Sequence, residues 1–132
     1  MGYEELFVEA KQIQAFTEMP FADDPALIIE RGNAIAGWLA RSASMLAEAK
    51  KVLNSAKTSE ISKLIKGTLA ENKLSAQVQN SLLNSICENE QYLVDWLTEI
   101  NKTLKHQLDW CRSALSKYKA ELSITQMGRE FN

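Results

Sequence analysis

The chain has 132 residues, 45% hydrophobic and 24% charged, with a formal charge of −2. That is one domain's length with apolar material for a core, so residues 1–132 are read as a single domain. Five glycines and two prolines are too few for a strand-rich or loop-rich fold, which needs turn residues about every ten positions. No apolar run reaches the ~18 residues of a membrane span. The acidic start Met1-Gly2-Tyr3-Glu4-Glu5 lacks a signal peptide's basic-then-apolar plan, and no Ser or Thr stands where a myristoylation signal needs one. The expectation is a soluble, cytoplasmic, all-α protein.

Residues 3 to about 17 read as a short helix, with Leu6, Phe7, Ala10 and Ile13 at helical spacing. The segment around Pro20 breaks it. Asp24 before Pro25 then gives a start signal, an N-cap carboxylate ahead of proline at the first helical position. The second helix is expected over about 25 to 57. Ile28, Ile35, Leu39, Leu46, Ala49 and Leu53 form one stripe, widened by Leu27, Trp38, Met45 and Val52, with small residues on the other side. Over half its circumference is apolar or small, so it should have more than one neighbour. Gly32 and Gly37 are read as points of close helix approach, since no strand precedes them to make a phosphate loop.

A third, shorter helix is expected over about 59 to 71, on Ile61, Leu64, Ile65, Thr68 and Leu69. Residues 72–75 read as a turn, with Ser75 as the next N-cap. The fourth helix should run from 75 to about 122 without glycine or proline. Ile86, Leu93, Leu97, Ile100, Leu104, Leu108, Cys111, Leu115, Tyr118 and Leu122 fall within about 40° of one line, in the three-and-four steps of a coiled-coil seam. From Ser123 the tail, with Gly128, is expected to fray. The fold class is therefore an elongated all-α bundle: a long antiparallel helical hairpin with two shorter helices packed on it.

Chemistry-bearing residues are sparse. Cys87 and Cys111, read on one helix, would lie roughly 36 Å apart and stay free thiols. The sequon Asn101-Lys102-Thr103 is read as chance within a cytosolic helix. His106, the only histidine, lies opposite the apolar line and reads as a surface residue. A di-iron bundle needs Glu-x-x-His pairs, and none is present. Glu88, Glu90, Asp95 and Glu99 are near in sequence, yet Asp95 and Glu99 project away from the stripe. No Gly-x-Ser-x-Gly elbow occurs and neither cysteine has a histidine nearby in sequence. No catalytic residue, metal or cofactor is expected.

Two surface patterns remain. Lys105, Arg112 and Lys119 recur every seven residues on one flank of the fourth helix, with Lys102 and Lys117 on its far side. The row could track a phosphate backbone, though a solvated face suited to a helix C-terminus is the favoured reading. Residues 1–30 hold seven acids and one base, and this acidic segment could cover the row. Tyr92, Trp96 and Trp110 share the other flank. They are the candidate interface, packing against a neighbouring helix or a second subunit rather than stacking on bases.

Residues 101–122 carry His106-Gln107-Leu108-Asp109-Trp110-Cys111-Arg112-Ser113 and then Ser116-Lys117-Tyr118-Lys119. This stretch resembles the C-terminal helix of small, all-helical, uncharacterised proteins encoded by phages and mobile elements. The resemblance spans roughly a fifth of the chain, rests on common helical residue types and lends no site residues. It implies an accessory protein of a phage or prophage. The function expected is a non-enzymatic helical interaction or structural protein that self-associates, a dimer being favoured. The alternative is a weak nucleic-acid-binding accessory protein using the basic row.

Overall fold

The start signal at Asp24-Pro25 works as its chemistry demands. In the computed structural model the Asp24 carboxylate accepts from the Leu27 N–H (3.1 Å), which occupies a donor the helix start leaves open, and the Asp24 carbonyl accepts the first intrahelical bond from the Ile28 N–H (2.8 Å). The structure describes residues 2–71 and 87–131, with single helical positions 77, 81 and 85 between them. Among these, three long elements are defined and no strand occurs: α1 (Tyr3–Thr17), α2 (Pro25–Glu71) and α3 (Glu88–Phe131). The fold is all-α.

Three expectations need correction. The second and third expected helices are one helix, α2, of 47 residues. No glycine or proline interrupts residues 56–60, and Thr58 Oγ1 donates to the Asn54 carbonyl one turn back (2.9 Å). Its hydroxyl therefore serves inside the helix and caps nothing. Only α1 remains as a shorter packing helix. Secondly, α3 does not fray at Ser123 but continues through Gly128 to Phe131, with Thr125 Oγ1 back-bonded to the Glu121 carbonyl (3.0 Å). Thirdly, Cys87 sits in a turn just ahead of α3, where its carbonyl accepts from the Gln91 N–H (2.9 Å), so the two thiols do not share one unbroken helix. The expected turn at 72–75, its Ser75 cap and Ile86 lie outside the described residues.

The helices α2 and α3 run in opposite directions against each other. A Cβ built on Gly32 would lie 3.8 Å from Cys111 Cβ, and Asn101 Nδ2 donates to Ser42 Oγ (2.9 Å). Ten steps forward along α2 match ten steps back along α3, and the same register sets Pro25 opposite Tyr118. The buried seam is Ile28, Ile35, Ser42, Ala49 and Leu53 with Met45 on α2, against Leu93, Leu97, Ile100, Leu104 and Cys111 on α3. Steps of three, four and seven make this knobs-into-holes spacing. Ser42 is fully buried yet satisfied: it donates to the Leu39 carbonyl (3.0 Å) and accepts from Asn101. The close approach read at Gly32 is present. At Gly37 it is not: nothing lies within 4 Å of an added Cβ.

α1 lies across this pair and buries Leu6, Ala10 and Ile13 completely. Its spacing of four and three residues puts them on one face. Polar contacts fix its position. Glu9 forms a two-point ion pair with Arg41 of α2 (2.7 Å for both contacts). At its end Arg31 Nη2 donates to the Phe16 carbonyl (2.9 Å) and Gln107 Nε2 to the Thr17 carbonyl (2.8 Å). An amide from α3 thus caps the open Thr17 carbonyl, and a cation from α2 adds to the Phe16 carbonyl, which also accepts from the Met19 N–H (3.2 Å).

Candidate interaction surface

The aromatic flank of α3 divides in two. Trp96 is covered by α1: its ring meets Phe7 edge-on (5.4 Å, 63°) and its Nε1 donates to Gln14 Oε1 (3.2 Å). Tyr92 extends this ladder (6.0 Å from Trp96) but remains 58% exposed. Trp110 lies beyond α1, against Phe21 of the linker (4.6 Å), and stays 46% exposed. The three residues read as one patch are therefore not one patch.

Around Trp110 the linker is held by Arg31 of α2 and Tyr118 of α3. The Arg31 guanidinium lies over Phe16 (4.3 Å) and Phe21 (4.5 Å), and burial holds its pKa below the usual value. Its buried Nε finds no acceptor, so the two rings, the Phe16 carbonyl and Gln107 Oε1 (3.4 Å) carry its stabilisation. The signal for Arg31 was available: it stands between Ile28 and Ile35 in the apolar stripe, where a charge is anomalous. The Tyr118 hydroxyl donates to the Asp23 carboxylate, and that bond pushes its pKa up to about 12. Between linker and helix lies a groove of about 790 Å³ whose α3 wall includes Trp110, Ser113, Lys117 and Glu121.

Lys105, Arg112 and Lys119 are all exposed. The acidic N-terminal segment does not cover them, because Glu9 is held by Arg41 and Asp23 by Tyr118. Arg112 stands 3.7 Å from Asp109, and nearby Lys102 stands 3.3 Å from Glu99, so the surface carries both signs. His106 is exposed, as are Asp95 and Glu99.

Cys87 and Cys111 are free and buried. Burial pushes both thiols up, aided at Cys87 by Glu90 and opposed at Cys111 by Arg31. Among the described residues no group of three or more His, Cys, Asp or Glu side chains is placed to hold a metal ion, and no helix is long and apolar enough to cross a membrane.

No family model, curated protein or solved structure matches the chain.

Proposed function

We propose that this chain is a non-enzymatic helical interaction protein, a cytoplasmic accessory factor of a phage or prophage, with α2 and α3 as the arms of a helical hairpin. It self-associates through its long helices. One observation carries the reading. In the observed register α2 has no residue opposite α3 beyond Tyr118, and there Leu122, Ile124 and Met127 are 59%, 69% and 56% exposed. A helical segment of this length is marginal in water by itself, and large apolar side chains concentrated on it favour a partner surface. Light scattering after gel filtration at micromolar concentration tests this. A dimer mass is expected, and a strictly monomeric mass would refute self-association.

The exposure of Lys105, Arg112 and Lys119 keeps a second reading, a salt-sensitive contact to nucleic acid. The acids interleaved among these cations weaken it. Anisotropy of a labelled oligonucleotide at about 50 mM salt, where phosphate contacts are strong, should show no binding. Binding that a triple alanine variant abolishes would reverse the preference.

A further inference from the structure

The exposed surface of α3 carries a strip that fits one occupant. At about 100° per residue, Trp110, Ser113, Lys117, Glu121, Ile124 and Gly128 fall within about 80° of one another. Trp110 is 46% and Ile124 69% exposed. Ser113, Lys117, Glu121 and Gly128 are exposed as well, and nothing lies within 4 Å of a Cβ added at Gly128. Glycine inside a helix costs about 0.5–1 kcal/mol relative to alanine, and the open space above Gly128 leaves room for a large side chain from another molecule.

From this pattern we infer that α3 pairs antiparallel with α3 of a second copy, across a twofold axis passing beside residue 119. The inference rests on the self-association proposed above and gives it a location. About that axis each residue meets one as far on the other side. Lys117 then faces Glu121 of the second copy, and Glu121 faces its Lys117. Trp110 falls over Gly128 of the second copy, where the missing Cβ admits an indole. Ile124 falls opposite the small Ala114 of the second copy, beside its Ser113. Both large exposed apolar residues of the strip thus meet a small one, and both charges meet their opposite. A parallel pairing would set Lys117 against Lys117 and Trp110 against Trp110, which opposes like charges and wastes the glycine. The groove beside Trp110 and Lys117 gives the second helix a concave seat against the linker. Trp110 to Gly128 covers about five turns, so the interface is small and the dimer should dissociate in the micromolar range.

Charge reversal tests the pairing on the full chain by sedimentation equilibrium. K117E and E121K should each weaken dimerisation by about tenfold or more, since each replaces two attractive contacts with two repulsive ones. The double variant should restore it. Gly128→Leu separates interface from helix stability. Leucine favours the helix more than glycine does, so helicity should hold or rise while dimerisation is lost. A dimer indifferent to all three variants would overturn this interface and leave self-association standing. A monomer at every concentration would overturn both.

Discussion

Trp96 and Trp110 stand fourteen residues apart on nearly the same flank of one helix, and their surroundings differ completely. Trp96 is sealed by Phe7 and Gln14 of α1. Trp110 has only Phe21 of the linker and stays half open. Periodicity assigns a residue to a flank. Whether that flank is core or surface depends on where a third element ends, and α1 ends at Thr17.

The largest effect is expected from removing what seals the covered half. Ile13→Ala deletes a fully buried side chain of α1 and should cost about 2–5 kcal/mol in chemical denaturation. Val8→Ala on the same helix, 56% exposed, should stay within about 0.5 kcal/mol. Equal effects would mean that α1 is not docked as described.

Thiol reactivity sharpens the same contrast chemically. Both cysteines are buried, Cys111 in the seam and Cys87 just ahead of α3, with raised pKa values. A disulfide reagent at neutral pH should modify them slowly in the native protein and rapidly once denaturant opens the seam. Fast native labelling would contradict their burial.

The docking of α1 should also weaken in acid. Its hydrogen bond and ion pair with Arg41 hold Glu9 below its ordinary value of 4.5. A depressed carboxylate contributes fully above that ordinary value and loses its contribution as pH falls through the native pKa. Glu9 is partly solvated, so the effect is modest. Glu9→Gln should cost about 1 kcal/mol or less and flatten the acid limb of stability against pH. An unchanged acid limb would show that the pair does not stabilise the native state.

The smallest effect is at Gly37, where an added methyl meets nothing. Gly37→Ala should stabilise by about 0.5–1 kcal/mol, seen as a higher Tm. A loss would reveal a contact at that position.

Much of the architecture was legible because helices advertise themselves locally. Scarce glycine and proline excluded other classes, and Asp24-Pro25 marked the start of α2. The line from Leu93 to Cys111 named most of the α3 seam. The expected break between residues 57 and 59 is absent, because Thr58 bonds back to the Asn54 carbonyl inside a helix that continues to Glu71, and only the backbone shows that continuity. The tail from Ser123 reads as fraying because it carries Gly128, yet α3 continues through that glycine to Phe131.

Sequence alone thus determined the helical class and which residues of α3 line up along a face, because both follow from a fixed rotation per residue. It could not determine that α2 continues past the expected break, since hydrogen bonds that end a helix and bonds within it use the same side chains. Nor could it decide that α1 would take Trp96 and leave Trp110, or that Arg31 and Gln107 would cap α1 from two other helices. Those outcomes depend on contacts between residues 15 to 90 positions apart, which only the packed chain brings within bonding distance.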